Sequence, residues 1–380
     1  MSHPTQSKTP IKLGHKLPPR SRDRLERAGI DLDNYPHWPQ KPSDVKLAAA
    51  VRAAPREHRD PGLRADPEKK ALFGAAEKVI NLTTHIGTEL VGVQLSQLTD
   101  QQKDELALLI AERSVVFFRD QDITPAGQLE LGNYFGLAEV HPSAPQVPGH
   151  PGVSIIWQAL AGEEEKFSFR NAFGTQDWHT DLTHEKQPPG ITHLHNDTIP
   201  DVGGDTYWAS GYTVYDHLSP SFRKIIDGLN GVYRSAHSYP NPDDPEGPRV
   251  HIETVHPLVR THPVTGWKSL FVNRKFTTRI EGLEPSESKL ILNHLFDVYE
   301  KSLDSQVRFK WTAGASALWD NRITIHAAVF DYEGKAPRHG TRVSSLAEVP
   351  YFDPKSPTRR EALGLDKPED FDFNRKATEY

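Results

Sequence analysis

The chain has 380 residues, and its 51 acidic and 45 basic side chains give a formal charge of −6. That length favours one large domain with extensions over several small ones. Because the chain contains no cysteine, a disulfide scaffold, a cysteine-ligated metal site and thiol catalysis are excluded. Acidic and basic residues are interspersed, which argues against a nucleic-acid partner. No apolar run reaches the roughly 18 residues of a membrane span, and the N-terminus lacks the apolar core of a secretory signal. We therefore expect a cytoplasmic protein without a membrane partner.

Residues 1–75 are rich in proline and charge and show little apolar periodicity. We interpret them as an extended or partly disordered leader, with an ordered wrap as the open alternative. In that alternative Tyr35 and Trp38 pin the leader onto a folded body. Residues 353–380 are charged and are expected to form a surface tail. Residues 76–352 then form the main domain.

Within the main domain, strands and helices follow from local patterns. The predicted strands are Val79–Leu82, Glu89–Leu95, Ser114–Phe118, Gly190–Thr198, Thr206–Ala209, Ala317–Trp319, Thr324–Ala328 and Arg342–Glu348. The predicted helices are the segment after the capping box at Thr99, Pro125–Phe135, Ser219–Leu229 and 285–302. Many short strands without regular βαβ alternation predict a mainly β, antiparallel architecture with peripheral helices.

Two H-x-D triplets stand out among the 19 histidines, His179–Asp181 and His195–Asp197. On an extended segment, residues i and i+2 project from the same face, so either triplet can offer an imidazole and a carboxylate to one metal. A site of two histidines and one carboxylate needs a further histidine from a distant part of the chain. His326, within an apolar strand, is the candidate, although a buried structural histidine is an equal alternative at this point.

Two arginines, Arg338 and Arg342, lie at the start of the last predicted strand. Positions i and i+4 of a strand share a face, so both guanidinium groups can point into one cavity. A guanidinium group matches carboxylate or sulfonate oxygens in a bidentate manner. A solvated basic turn is the simpler alternative for these two residues when they are considered alone.

The sequence resembles the taurine/2,4-D dioxygenase (TauD/TfdA) family of Fe(II)- and 2-oxoglutarate-dependent oxygenases in four ordered segments: WHTDLTH with PPG after it, IPDVGGDTYWASG, LWDNRITIHAAVFDY and PRHGTR. The resemblance runs from about Lys78 to Val349. The leader is similar to that of fungal sulfonate dioxygenases of this family. The resemblance implies a double-stranded β-helix (jelly-roll, cupin-like) core.

The resemblance also implies roles for individual residues and a set of cofactors: Fe(II), 2-oxoglutarate as cosubstrate, and O₂. The implied iron ligands are His179, Asp181 and His326. The implied 2-oxoglutarate residues are Thr206 and Arg338, and the implied substrate residues are His141, Arg342 and the backbone N–H of Leu182. His195 and Asp197 then become structural residues of the next strand.

The implied reaction is hydroxylation of a small organic anion, an alkyl sulfonate that then releases sulfite and an aldehyde. The same chemistry on an amino acid or another carboxylate is the alternative. Ala144 and Thr175 replace side chains that contact the substrate amine in the taurine enzymes, which argues against taurine itself. A non-catalytic binding protein on the same scaffold and a zinc hydrolase are further alternatives, and a homo-oligomer remains open.

Overall fold

A computed structural model of the chain describes residues 13–39, 41–53, 56–160, 178–241, 243–244, 246–332 and 336–365. Its helices are α1 (Pro19–Arg27), α2 (Pro42–Arg52), α3 (Lys70–Ala75), α4 (Asp100–Arg113), α5 (Pro125–Phe135), α6 (Gly211–His217), α7 (Pro220–Ile226), α8 (Pro285–Lys301) and α9 (Arg359–Ala362). Its strands are β1 (Lys78–Asn81), β2 (Thr88–Val91), β3 (Val115–Phe118), β4 (Gln146–Val147), β5 (His150–Trp157), β6 (Pro189–Thr198), β7 (Thr206–Ser210), β8 (Asn230–Arg234), β9 (Glu253–Pro257), β10 (Val259–Thr261), β11 (Lys268–Leu270), β12 (Thr277–Ile280), β13 (Gln306–Phe309), β14 (Ala315–Asp320), β15 (Thr324–Ala328) and β16 (His339–Leu346). None of the helices in these described ranges is both long and apolar enough to cross a bilayer.

Helices with a local start signal are confirmed. The Thr99 side chain accepts a hydrogen bond from the Gln102 N–H, and the Gln102 side chain accepts one from the Thr99 N–H. This capping box begins α4. Helix α5 has the predicted bounds, with Pro125 in its first turn.

Two sheets, antiparallel except for one strand pair, carry three of the predicted site residues, Thr206, His326 and Arg342. The larger sheet has the order β1-β2-β3-β14-β6-β16-β5-β4, in which only β2 and β3 are parallel among the described strands. The smaller sheet has the order β13-β7-β15. Strands β12-β8-β9 and β10-β11 form two further small sheets. The sheet-rich architecture with several helices agrees with the prediction.

Aromatic side chains pack between the larger sheet and the β13-β7-β15 sheet. Phe117 of β3 stacks on Phe309 of β13 with ring centroids 4.0 Å apart. Trp208 of β7 packs edge-on against Trp319 of β14 at 5.7 Å, and both rings are buried. Such rings bury large apolar areas, so this cluster holds the two sheets at a defined spacing.

The described residues of the leader are folded against the larger sheet. Arg24 of α1 is buried and places Nη1 3.0 Å from Asp197 Oδ2 on β6. The Tyr35 hydroxyl lies 2.6 Å from Nε2 of His339 on β16. The described part of the leader therefore contains helices α1 and α2, whereas an extended or partly disordered leader was expected, with an ordered wrap as the alternative. Buried polar contacts with β6 and β16 order these residues. The division into leader, main domain and tail remains a prediction.

The described part of the C-terminal tail also contacts the main domain. Thr358 caps the short helix α9, and both Thr358 and Arg359 are buried. The Lys268 N–H donates a hydrogen bond to the Pro357 carbonyl oxygen over 3.0 Å. This part of the tail is therefore held on β11 instead of lying wholly on the surface.

Candidate active site

A backbone bridge brings His179 and His326 together. The His179 N–H donates to the His326 carbonyl over 3.0 Å, and the His326 N–H donates back over 2.8 Å. Side chains directly opposite each other in an antiparallel pair are close neighbours. The two imidazole ring centroids are accordingly 4.3 Å apart.

Asp181 places its carboxylate beside these two imidazoles. One donor atom from each of the three residues lies within 4.8 Å of the others. Asp181 Oδ1 is 3.8 Å from His179 Nε2, and Oδ2 is buried without a hydrogen-bond partner among the described residues. Two imidazoles and one carboxylate are the donor set of a facial iron(II) site with open positions. The residues present therefore fit an iron(II) ion.

The charge of Asp181 is stabilised by its neighbours. Burial alone raises the pKa of this carboxyl group, but the Arg342 guanidinium and the imidazoles of His326 and His179 lower it to about 2. Arg342 Nη1 lies 3.1 Å from Asp181 Oδ1. The group is thus ionised at neutral pH, as a metal ligand must be.

The segment around Asp181 is held in a strained local conformation. The Thr180 hydroxyl donates to the Thr324 carbonyl over 2.7 Å, and the Asp181 N–H donates to Asn321 Oδ1 over 3.3 Å. The next residue, Leu182, has a φ angle of +51°. This left-handed conformation costs a non-glycine residue on the order of 1–3 kcal/mol, so the surrounding contacts must stabilise it.

A cavity of about 450 Å³ opens at the two imidazoles. Residues of both sheets line it, and most of them are apolar. Five predicted site residues belong to its lining: His179, Thr206, His326, Arg338 and Arg342. A mostly apolar cavity of this size with a few convergent polar groups is typical of a small-molecule site.

Arg338 is buried in this cavity and has little charge compensation. Burial lowers its pKa, and the Tyr332 hydroxyl and the Asp205 charge oppose this effect only in part. Asp205 itself pairs with Arg308 over 2.6 Å. Among the described residues, no hydrogen-bond partner is present for Arg338 Nε. Because a buried cation is stabilised by an anion, the cavity fits a ligand with a carboxylate at this end.

Thr206 offers a hydroxyl group in the same cavity. Trp311 Nε1 donates a hydrogen bond to Thr206 Oγ1 over 2.9 Å. With one acceptor position of the oxygen occupied, the Thr206 O–H remains able to donate to a ligand. Thr206 and Arg338 together therefore fit the far carboxylate of 2-oxoglutarate.

His141 and Leu182 are not among the described residues that line the cavity, although the charges of Arg342 and Asp181 act on His141. Its Nδ1 accepts hydrogen bonds from the N–H groups of Ser143 and Ala144 over 3.1 and 2.8 Å. Burial lowers the pKa of His141 to about 4, so the ring is neutral and carries its proton on Nε2. Thr175 lies outside the described residues.

The side chains of the second triplet, His195–Asp197, form hydrogen bonds within the protein. His195 Nδ1 lies 3.0 Å from the Ser316 hydroxyl. Asp197 accepts hydrogen bonds from Ser21 and Arg24 of the leader, and its Oδ1 lies 2.8 Å from His339 Nδ1. Among the described residues, the only group of three residues that fits a metal ion is the one with His179.

Three residues that support or line the site were not predicted from the sequence. Asn321 holds the Asp181 backbone, and Trp311 orients the Thr206 hydroxyl. Asn321 lies inside the LWDNRITIH segment, so its position was a usable signal. Trp311 offered no such sequence signal, because its partner Thr206 is distant in sequence. Trp38 was expected only to pin the leader, but it lines the cavity.

The His–Asp–His group, with a buried arginine in the same cavity of a sheet-rich fold, defines a 2-oxoglutarate-dependent non-haem iron dioxygenase. Residues 78–344 match the family model described as "Taurine catabolism dioxygenase TauD, TfdA family". The chain belongs to this family. Iron(II), 2-oxoglutarate and O₂ are accordingly its metal, cosubstrate and oxidant.

Curated relatives and solved structures agree with this membership. The chain is 36% identical to an alpha-ketoglutarate-dependent sulfonate dioxygenase of Saccharomyces cerevisiae, over 79% of this chain and 75% of that protein. It is 38% identical to the alpha-ketoglutarate-dependent dioxygenase cnsM of Penicillium expansum, over 80% and 87%. The crystal structure of a taurine dioxygenase from Burkholderia xenovorans matches with a TM-score of 0.62 and 34% identity, over 73% and 93%.

Proposed function

We propose that this dioxygenase hydroxylates an alkyl sulfonate at the carbon next to sulfur, with release of sulfite and an aldehyde. The observation that carries the proposal is the position of Arg342, which lines the cavity and contacts Asp181 beside the two imidazoles. A guanidinium group presents five N–H donors in a planar fork that suits sulfonate oxygens. The S. cerevisiae relative is named for the same substrate class.

Three residues hold the metal in this proposal: His179, Asp181 and His326. When bound, iron(II) supplies, with O₂ and 2-oxoglutarate, the oxidation that forms succinate and CO₂ and inserts one oxygen atom into a C–H bond. Arg338 and Thr206 bind the far carboxylate of 2-oxoglutarate. The apolar walls exclude water, which strengthens both charge contacts.

The hydroxylated product then breaks down without a further oxidant. A carbon that carries both hydroxyl and sulfonate groups loses the hydroxyl proton, forms a C=O bond and breaks its C–S bond. The electron pair of that bond leaves with sulfur, so the products are an aldehyde and hydrogensulfite. The residues need only position the substrate, because this last step requires no catalytic group.

Three groups bind the sulfonate head in the proposal. Arg342 uses one N–H on Asp181 and has others for the substrate anion. His141 offers its Nε2–H, since its Nδ1 accepts two backbone hydrogen bonds. The backbone N–H of Leu182, which follows the metal ligand Asp181, is the third donor.

We further propose that the β13-β7-β15 sheet and the larger sheet form a double-stranded β-helix, or jelly-roll, core. The support is the aromatic packing between the sheets and the cavity that both of them line. In this proposal residues 76–352 form the dioxygenase domain, residues 1–75 the leader and residues 353–380 the tail.

A substrate panel tests the proposal. The iron-loaded protein is supplied with 2-oxoglutarate and with taurine, simple alkyl sulfonates, amino acids or other carboxylates, and succinate and sulfite are both measured. We expect alkyl sulfonates to be turned over at least as well as taurine, because Ala144 offers no side-chain acceptor for an ammonium group, whose burial is then costly.

The outcomes separate the substrate classes. Sulfite in equal amounts to succinate supports the sulfonate reaction. Succinate with hydroxylation of an amino acid or other carboxylate, and no sulfite from any sulfonate, would show that the substrate is of that class instead.

In Arg342→Gln we expect the KM for sulfonates to rise at least about tenfold, since a charged hydrogen bond is lost. Arg279→Gln is the matched control, because its side chain is 57% exposed.

A further inference from the structure

The leader contributes a side chain to the catalytic cavity. Trp38 lines the 450 Å³ cavity together with Arg342 and His326, although the family match begins only at residue 78. The dioxygenase domain that the family model describes therefore does not contain this part of the cavity wall.

Backbone and side-chain contacts fix Trp38 in this position. The preceding residue, His37, exchanges two backbone hydrogen bonds with Gln146, of 2.9 and 2.8 Å. Tyr35 is buried, with its ring centroid 6.3 Å from that of Trp157, another residue of the cavity wall. Trp38 is thus held from the side of α1, where the leader is anchored on the larger sheet.

The leader is anchored on the other side of Trp38 as well. Arg52, at the end of α2, has a side chain that is only 9% exposed and forms ion pairs with Glu139 and with Glu185, the latter over 2.7 Å. Glu185 follows the HTD triplet closely, and Glu139 lies two residues before His141. These two ion pairs therefore tie the leader to the segments that carry His141 and Leu182, two of the three proposed substrate-binding residues.

Trp38, which is 38% exposed, is shared by the linings of two cavities. A second cavity of about 300 Å³ is lined by Trp38 together with Val45 of α2 and Pro142. Because Trp38 belongs to both linings, we expect removal of its indole ring to extend the catalytic cavity toward the second one.

We propose that Trp38 is a specificity-determining residue that limits the length of the apolar chain of the substrate. The inference rests on the proposed function for the anion at Arg342, but it concerns the rest of the substrate. Ile155 and Leu160 of the same lining are apolar, so the cavity wall suits an alkyl chain. In a hydrophobic pocket, one methylene group changes kcat/KM by about 10- to 200-fold.

The test compares chain-length profiles. Wild type, Trp38→Ala, Trp38→Phe and Trp267→Ala are measured on unbranched sulfonates from ethane- to octanesulfonate. Trp267 is a matched aromatic control, since it packs on Tyr212 and is not among the described residues of either cavity. In Trp38→Ala we expect the kcat/KM ratio of long to short sulfonates to rise at least about tenfold. Trp38→Phe should keep most of the wild-type profile, and Trp267→Ala should keep all of it.

A second readout does not depend on turnover. Dissociation constants of the same sulfonates are measured by calorimetry without O₂, on protein loaded with iron(II) and 2-oxoglutarate, and they should show the same change. The KM for 2-oxoglutarate should stay within about twofold in Trp38→Ala, because Arg338 and Thr206 are unaltered. Should Trp38→Ala fail to fold, Trp38→Leu takes its place in both measurements.

An unchanged length profile in Trp38→Ala or Trp38→Leu overturns the inference, as does a wild type without any length dependence. A wild type that oxidises alkyl carboxylates or alkyl sulfates, but no sulfonates, contradicts the proposed function instead. The same length ratio is then measured in that series, and its rise in Trp38→Ala still supports the role of Trp38.

Discussion

The two H-x-D triplets have the same sequence pattern but different surroundings. His179 lies on the catalytic cavity with His326 beside it, and Oδ2 of Asp181 has no hydrogen-bond partner among the described residues. Both carboxylate oxygens of Asp197 are occupied, by Ser21, Arg24 and His339. Distant parts of the chain therefore decide whether such a triplet binds a ligand or the protein itself.

The charges of the two carboxylates do not distinguish them. Burial opposes ionisation of both. The pKa of Asp181 is lowered chiefly by Arg342 and then by nearby histidines, and that of Asp197 chiefly by His339 and then by Arg24. The difference lies in what else reaches the carboxylate. Beside Asp181, the second imidazole, that of His326, completes a group within metal-binding distance. The second imidazole at Asp197, that of His339, is hydrogen-bonded at both ring nitrogens instead, to Asp197 Oδ1 and to the Tyr35 hydroxyl.

The largest expected effect separates the triplets directly. His179→Ala, Asp181→Ala and His326→Ala should each abolish succinate formation and reduce bound iron, because each removes one of three metal ligands. His195→Ala should keep most of both. Iron content after gel filtration and succinate yield are the measurements. An active His179→Ala together with an inactive but folded His195→Ala would show that the triplets have been assigned the wrong way round.

The next effect compares two buried arginines. Arg24 has a carboxylate partner in Asp197, whereas no hydrogen-bond partner of Arg338 Nε is found in the described part of the chain. Arg338→Ala should weaken 2-oxoglutarate binding by about 3–5 kcal/mol, which is more than about a hundredfold in KM. Thr206→Val removes one hydrogen bond to a charged group and should cost about 1–3 kcal/mol.

Arg24→Ala is the control for this pair. It should lower the stability of the protein but leave the KM for 2-oxoglutarate within about twofold. Initial rates at varied 2-oxoglutarate give the KM of each variant. Equal 2-oxoglutarate dependence of wild type and Arg338→Ala would remove Arg338 from the proposed cosubstrate site.

The sequence was sufficient where a signal is local and insufficient where the partner is distant. The capping box at Thr99 and the proline start of α5 depend on neighbouring residues, and both helices were predicted. The iron ligands could be proposed because the two segments that carry them, WHTDLTH and LWDNRITIHAAVFDY, resemble a family. Helix α1 has a single apolar residue, Leu25, and is ordered by the ion pair of Arg24 with β6, which no local pattern reveals.

The contact of Arg342 with Asp181 was not expected either. The spacing of Arg338 and Arg342 predicted a shared cavity, and the structure shows both in its lining. The spacing did not predict that Arg342 also stabilises the charge of Asp181, a proposed iron ligand. This contact depends on the position of the loop that carries Asp181, which is held by the distant residue Asn321.

A smaller effect concerns stability without catalysis. Asp197→Asn keeps the shape of the side chain but removes the charge that Arg24 and His339 contact, and breaking such a buried pair costs up to about 3–5 kcal/mol. We expect a fall in the urea unfolding free energy of this size or less, with iron content unchanged. Loss of iron in folded Asp197→Asn would mean that the second triplet also supports the metal site.

The smallest effect is a pH dependence that comes from the strand of the second triplet. His193 on β6 is buried, and burial, with a smaller contribution from Arg24, lowers its pKa to about 3. In the unfolded chain a histidine pKa is about 6.5, so below pH 6.5 the unfolded state binds more protons than the folded state. The unfolding free energy should therefore fall with decreasing pH, by about 1.4 kcal/mol per pH unit from this residue.

Urea unfolding at pH 7, 6 and 5 measures how steeply the unfolding free energy falls with pH. His193→Gln should remove the contribution of His193 to this slope, because a glutamine side chain does not titrate. The same slope in the variant and in wild type would show that other groups cause the acid sensitivity.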